Sequence, residues 1–333
     1  MRVKPDSFKK LIAVTKGGKI TNLDITLMRK PFGAEVQNKK IKKVGICISC
    51  DYRFAEKNIT WSKKIKAICH PFRIKTHLPP SVPQYLLSES DFCDDLLTAV
   101  GNPSKIPKYD FVYFTLLSRQ GIKCKGLYML RLIDRAAREL GLNGLIVDYC
   151  INDSKKYKRP IYKNLLKIAK NEWKSFTNIE TKHKLFTDNK LSSVITSAKF
   201  VLFPNTADSS PRIITESIVN SRPVVVNRNI YGGWKYVNEN SGRFFDAPGI
   251  EDAPNSIEKE CYLESLKRAM KEVLVLDQSK IRDSYYKEFG FLKTSKRLAD
   301  IVFDVTGKRY RAVAFKDWKK QLLIVSKQEG WIK

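Results

Sequence analysis

The sequence predicts an α/β protein with a parallel sheet and two domains, and three observations lead to this prediction. Apolar strand-like runs alternate with amphipathic helical patterns throughout the region after residue 108. The clearest unit is 200–227, where an apolar run is followed by a polar loop, a helical pattern and a second apolar run. The length of 333 residues is sufficient for two ordinary domains.

A short N-terminal domain is predicted before the polar segment 101–108, which carries two prolines and a glycine and is the predicted linker. Its strand-like runs are 43–49, 65–69 and 84–88. Residues 11–27 have the pattern of a hairpin around Gly17 and Gly18, and the alternative is a glycine-rich sugar-binding loop. The predicted boundaries are 1–108, 109–306 and a C-terminal helical tail at 307–333.

The second domain has a regular order of strands and helices. Strands are predicted at 111–117, 145–150, 182–188, 200–203, 224–226 and 242–246. Helical patterns occupy 126–140, 161–173, 190–198, the segment containing Ile214 and Ile218, 255–274 and 278–306. Because strands alternate with helices, the crossovers are expected to be parallel and right-handed.

The charge distribution restricts the class of partner. The chain has a net charge of +28, and its first 80 residues contain 19 Lys and Arg against 5 Asp and Glu, a net +14. Such a basic region suits anionic membrane surfaces, nucleic acids or phosphorylated substrates, and the alternative is an ordinary solvated surface. The seven dispersed cysteines and the lack of a signal-peptide pattern indicate reduced thiols and a cytoplasmic location. No apolar run has the length of a transmembrane helix.

A basic loop follows the first strand of the second domain. Arg119, Lys123 and Lys125 lie in it, close to Gly126 and immediately before a helical pattern. Cations and free helix amides at such a position neutralise a nucleotide diphosphate, and the alternative is a solvated loop. The glycine spacing resembles a Walker A motif, but Leu127 stands where that motif requires lysine.

Two carboxylates occur in the loop and helix after the strand at 200–203. Asp208 lies in the loop and Glu216 on the helix, and both can accept hydrogen bonds from sugar and ribose hydroxyls. The amides of Ser209, Ser210 and Arg212 are expected to be free to donate to a ligand. The alternative interpretation makes Asp208 a helix N-cap and Glu216 a surface residue.

Two weaker features complete the candidate site. Gly232 and Gly233 form a turn after the next strand and precede a short helix. His70 closes a strand of the first domain, where a catalytic face would lie, although a structural role is the simpler interpretation. Cys47 and Cys50 are interpreted as buried thiols rather than zinc ligands, because they point to opposite faces of a strand.

Taken in order, these motifs resemble the donor-binding domain of GT-B glycosyltransferases, particularly glycosyltransferase family 4. Arg119 and the pair Lys125-Gly126 resemble the family's phosphate-binding residues, with Lys123 as the alternative lysine. Asp208 and Glu216 resemble its Glu-x7-Glu motif, with Asp in the first position, and Pro-Val-Val follows at 223–225. The resemblance implies two Rossmann-like domains facing a cleft, with a short N-terminal domain.

The resemblance also implies a function. The expected activity is transfer of a sugar from a nucleotide-diphosphate sugar, a UDP- or GDP-sugar, to a glycan, lipid-linked or protein acceptor. It implies retention of configuration, no metal and no other cofactor. Arg119 and Lys125 would hold the diphosphate, Glu216 the ribose, and Asp208 the transferred sugar. The alternatives are a DNA-modifying glycosyltransferase and a non-catalytic basic module on this scaffold that binds nucleic acid or an anionic membrane.

Overall fold

The secondary structure follows the predicted alternation of strands and helices. This computed structural model describes residues 23–28, 41–47, 65–73, 78, 80–93, 106–115, 125–148, 179–183, 188–208, 210–248 and 260–307. The strands are β1 (Leu23–Met28), β2 (Ile41–Cys47), β3 (Ile65–His70), β4 (Gln84–Leu86), β5 (Tyr109–Thr115), β6 (Gly144–Asp148), β7 (Ile179–His183), β8 (Ala198–Phe203), β9 (Val224–Asn227) and β10 (Gly242–Phe245). The α-helices are α1 (Leu130–Leu140), α2 (Asp188–Thr196), α3 (Arg212–Val219), α4 (Glu260–Leu274), α5 (Gln278–Tyr286) and α6 (Phe291–Thr306).

The chain divides into two compact units. One comprises Cys93–Lys287, and the other combines Arg2–Phe92 with Glu288–Lys333. The second unit contains the four-stranded sheet β1-β2-β3-β4, whose neighbouring strands are all parallel. Within it α6 contacts the turn at 89–92, where the carbonyl of Asp91 accepts hydrogen bonds from Gly290 N at 3.0 Å and Thr294 Oγ1 at 2.7 Å.

The unit Cys93–Lys287 is built on a six-stranded parallel sheet of order β10-β9-β8-β5-β6-β7. The predicted α/β class and its parallel sheet are thereby confirmed. Both faces of the central strands are covered, since β9 is buried throughout and β8 exposes only Lys199. This burial explains why these strands read as continuous apolar runs rather than as alternating patterns.

The core of this unit lies between one face of the sheet and two helices. Alternate residues of β5 and β8 point into it, including Phe111 and Phe200, whose ring centroids are 5.8 Å apart. Helices α1 and α4 cover this face with the apolar side chains that their 3.6-residue period places on one side. The packed face fixes the register of the strands, because a shift of one residue would turn it to the other side.

Four sequence predictions differ from the structure or fall at least partly outside its described residues. The helical pattern at 278–306 is two helices, because Gly290 has φ +96° and interrupts it between Tyr286 and Phe291. The second arm of the predicted hairpin at 11–27 overlaps β1, which pairs in parallel with β2, and the rest of that segment lies outside the described residues. The helix predicted at 161–173 also lies outside them, as does the tail predicted at 307–333 except for its first residue, Gly307.

Candidate functional site

The strand order of the six-stranded sheet reverses between β5 and β8. From β5 the chain continues to β6 on one side, and from β8 it continues to β9 on the other. In open α/β sheets, ligands bind at such a reversal, outside the carboxyl ends of the strands. Lys125 follows β5 and Asp208 follows β8. Two residues predicted to bind the donor therefore belong to the two loops that border this point.

Lys125 and Asp208 are in direct contact. The Nζ atom of Lys125 forms an ion pair with Oδ2 of Asp208, and the two side chains are 31% and 15% exposed. The same oxygen accepts a hydrogen bond of 3.3 Å from Nδ2 of Asn205, a residue that is only 1% exposed. Since the pair is partly open to solvent, a ligand can reach it, and water screens only part of its attraction.

The backbone at Lys125 is fixed from below by a buried tyrosine. The hydroxyl of Tyr113, in β5, donates a hydrogen bond to the carbonyl of Lys125 and is also hydrogen-bonded to the Thr115 hydroxyl at 3.2 Å. Burial raises the pKa of the Tyr113 phenol far above its ordinary value, so the hydroxyl keeps its proton and remains a donor. A core residue therefore holds the site lysine in place.

Gly126 permits the loop of Lys125 to approach the loop of Asp208. Its φ is +75°, and an added Cβ atom would lie 2.6 Å from the carbonyl oxygen of Pro204, which directly follows β8. Glycine is required here both for the left-handed backbone and for the lack of a side chain. The predicted Lys-Gly pair has this physical meaning, since the glycine brings the lysine to the neighbouring strand.

The loop that carries Asp208 is held by the chain that follows β9. Backbone amides of Tyr231 and Gly232 donate to the carbonyls of Thr206 and Asp208, each at 2.9 Å. Gly233 has φ +85°, and a Cβ atom there would lie 2.4 Å from Cγ of Pro211. The turn predicted at 232–233 is thus packed against the beginning of helix α3.

Helix α3 begins at Arg212, with Pro211 at the N-cap position and no side-chain capping hydrogen bond among the described residues. Asp208 is therefore not the N-cap of this helix, as the alternative interpretation required, because its carboxylate is engaged by Lys125. Glu216 is buried, with 5% of its surface exposed, and is not the surface residue of that interpretation. The Nη2 atom of Arg212 lies 3.5 Å from Oε1 of Glu216.

The remaining predicted residues are distributed as follows. Arg119, Lys123 and Ser209 lie outside the described residues, and Ser210 is half-buried just before α3.

His70 belongs to the other unit, at the end of β3, where it is fully buried. Its Nδ1 atom accepts a hydrogen bond of 3.2 Å from the amide of Phe72, and the two rings are stacked with centroids 5.9 Å apart. Neutral His70 therefore carries its proton on Nε2.

Two residues of this site were not identified from the sequence. Asn205 binds Asp208, and its Oδ1 atom has no hydrogen-bond partner within the described part of the chain. Its position directly after an apolar run and three residues before Asp208 was the available signal. Tyr113 gave no signal, because its apolar neighbours in β5 mark it only as a core residue.

Metal and membrane features were sought among the same residues. The described residues contain no group of three or more His, Cys, Asp or Glu side chains that could hold a metal ion. No helix within the described ranges is both long enough and apolar enough to cross a bilayer.

Neither a protein-family profile nor a curated protein sequence matches the chain. Solved structures do match. The apo form of the lipopolysaccharide outer core galactosyltransferase WaaB has a TM-score of 0.58 at 10% identity, over 85% of this chain and 76% of that one. Sucrose-phosphate synthase from Thermosynechococcus elongatus has a TM-score of 0.56 at 10% identity, over 81% and 69%.

A third similar structure contains ligands. It is an S. aureus TarM mutant in complex with fondaparinux, α-GlcNAc-glycerol and UDP, with a TM-score of 0.54 at 12% identity. The alignment covers 83% of this chain and 55% of TarM. At such identities the likeness concerns the fold, and it confirms the GT-B fold that the motifs predicted.

Proposed function

We propose that this chain, which has the GT-B fold, is a glycosyltransferase that moves a sugar from a nucleotide-diphosphate sugar to a glycan, lipid-linked or protein acceptor. The observation that carries the proposal is the contact between Lys125 and Asp208 at the reversal of strand order. A cation and a carboxylate placed together there suit the two halves of such a donor, its diphosphate and its sugar hydroxyls. The UDP in the TarM complex agrees with a nucleotide donor.

In this mechanism Lys125, together with Arg119, holds the diphosphate and stabilises the negative charge that grows on it as the bond to the sugar breaks. Glu216 accepts hydrogen bonds from the ribose hydroxyls. Asp208 and the amides that follow it orient the transferred sugar, and Asn205 holds the Asp208 carboxylate in place. These roles assign the cations, Glu216 and Asp208 to three different parts of one ligand.

The reaction is proposed to proceed with retention and without metal. The acceptor hydroxyl approaches the anomeric carbon on the face from which the diphosphate departs. The bond between that carbon and the phosphate oxygen breaks, the bond to the acceptor oxygen forms, and the acceptor proton passes to the departing diphosphate. No protein nucleophile is needed, and the cations of the site supply the charge stabilisation for which a metal would otherwise serve.

The test is a thermal-shift screen of the purified chain against UDP-, GDP- and ADP-sugars, followed by assays of donor hydrolysis and transfer. A bound donor stabilises the folded state by mass action, so the true donor raises the melting temperature. Lys125→Met should abolish the shift. Lys199→Met removes another ion-paired lysine, 2.7 Å from Asp110, and should leave the shift intact.

Binding with neither hydrolysis nor transfer would indicate a non-catalytic module on this fold. If no sugar nucleotide shifts the melting temperature, the proposal fails.

A further inference from the structure

Arg212 occupies a position where a cation opposes its own helix. It is the first residue of α3, and the amino-terminal end of a helix carries partial positive charge that favours acidic side chains. In ion pairs four residues apart, the acid is better placed first, whereas here Arg212 precedes Glu216. Helix energetics therefore do not account for an arginine at this position.

The burial of Glu216 does account for it. Its side chain is 7% exposed and that of Arg212 is 37% exposed, so a partly exposed arginine is paired with a buried carboxylate. An ionised carboxylate in such a place is costly unless a cation or hydrogen bonds compensate for the lost water. The Nη2 atom of Arg212, 3.5 Å from Oε1 of Glu216, supplies part of that compensation.

The packing of α3 does not by itself require this ion pair. Ile214 and Ile218 of the same helix are completely buried and anchor α3 in the core. A well-packed apolar side chain at position 216 would serve packing as well as a buried ion pair or better. A buried acid with its own cation, one turn inside a helix that begins beside Asp208, is therefore better explained by a ligand.

We propose that Arg212 is a positioning residue that keeps the Glu216 carboxylate ionised and oriented toward the two ribose hydroxyls of the donor nucleotide. The inference rests on the proposed function, in which Glu216 binds the ribose. Arg212 acts through Glu216 and makes no contact with the diphosphate. The pair consequently makes the site selective for nucleotides that carry the ribose diol.

The experiment compares ribonucleotides with analogues that lack the diol. Calorimetry gives the affinities of UDP, GDP, ADP and their 2′,3′-dideoxy forms for the wild type, Arg212→Ala and Arg212→Lys. Arg212→Ala should lower the affinity for the ribonucleotide by about tenfold, the effect of losing one charge-assisted hydrogen bond between Glu216 and the ribose. The affinity for the dideoxy form should fall by less than about twofold. Arg212→Lys should recover most of the ribonucleotide affinity, because it restores the cation.

Equal losses for both nucleotide forms would mean that Arg212 contacts the phosphates directly, and would overturn the inference. An unchanged ribonucleotide affinity in Arg212→Ala would overturn it as well. These two outcomes overturn the inference alone. A wild type that binds none of the three nucleotides refutes the proposed function as well, so the two failures are distinguishable.

Arg138→Ala is the matched control. Arg138 lies four residues from Asp134 in α1, with Nε 3.0 Å from Oδ2, and the side chains are 55% and 9% exposed. The pair has the same spacing and a carboxylate of similar burial, but it lies on a helix outside the candidate site. Its loss should lower the melting temperature and leave both nucleotide affinities unchanged. A fall in ribonucleotide affinity here too would attribute the effect to stability and refute a specific role for Arg212.

Discussion

Asp208→Asn should increase the affinity of the site for a free nucleoside diphosphate while it slows sugar transfer. In the structure Lys125 is engaged by Asp208, so a diphosphate must compete for that ammonium group. Asparagine has nearly the same shape but no charge. It leaves Lys125 available to the phosphates and removes a negative charge that repels them.

The magnitude follows from the exposure of the pair. Two unit charges about 4 Å apart interact by about 4 kcal/mol at an effective dielectric constant of 20 and by about 1 kcal/mol in water. With side chains 31% and 15% exposed, the pair lies between these limits, and desolvation offsets part of the attraction. We expect a difference of about 1–2 kcal/mol, which corresponds to roughly 5- to 30-fold tighter binding.

The assay is isothermal titration of the wild type and Asp208→Asn with the nucleoside diphosphate that the wild type binds. The full sugar nucleotide should gain less, because the variant also loses the contact of Asp208 with the sugar. Transfer should fall by more than about tenfold for the same reason. Separating the effect on the free diphosphate from the effect on turnover is what makes this variant informative.

Asp110→Asn provides the control. Asp110 is paired with Lys199 at 2.7 Å, its side chain is 14% exposed, and it lies near the amino-terminal end of β5, away from the candidate site. It should lose stability and keep its nucleotide affinity. Weaker or unchanged binding of the diphosphate to folded Asp208→Asn would refute the competition between Asp208 and the ligand for Lys125.

Three further predictions concern the same site. Glu216→Ala and Arg119→Ala should each reduce transfer by more than tenfold, or over about 1.4 kcal/mol of transition-state stabilisation, and near-wild-type kinetics would exclude these roles. Gly126→Ala should destabilise the fold and abolish donor binding, because its Cβ would overlap Pro204. Gly141 is the control, because it has a similar φ of +64° but no atom within 4 Å of an added Cβ. Gly141→Ala should lower the free energy of unfolding, measured with denaturant, by only about 1 kcal/mol. Tyr113→Phe should weaken donor affinity several-fold by releasing the Lys125 carbonyl, so unchanged titration curves would contradict its positioning role.

Much of the site could be predicted because its residues lie in ordered local motifs. A lysine precedes a glycine in the loop after one strand, and an acid lies in the loop after another. Both can be recognised locally, because each lies in a loop at the carboxyl end of an apolar run. Asn205 and Tyr113 were missed for a physical reason. One is polar in a loop where polar residues are ordinary, and the other is buried in a strand where apolar residues are ordinary, so neither departs from its local background.

The prediction of one continuous helical region at 278–306 was wrong. A helical period continues through it, but Gly290 at φ +96° ends one helix before the next begins. The hydrophobic pattern records which residues are buried. It does not record the backbone angle of the single glycine at which the chain changes direction.

By itself, the sequence determined the α/β class, the alternation of strands and helices in the second domain, and which loops follow β5 and β8. These properties depend on local periodicity and on the burial of apolar runs, both of which can be read along the chain. The tertiary structure alone decided that β5 and β8 are neighbours, and so joined Lys125 to Asp208, 83 residues later. Strand order arises from long-range pairing, and the contact it creates turns two ordinary charged residues into a candidate donor site.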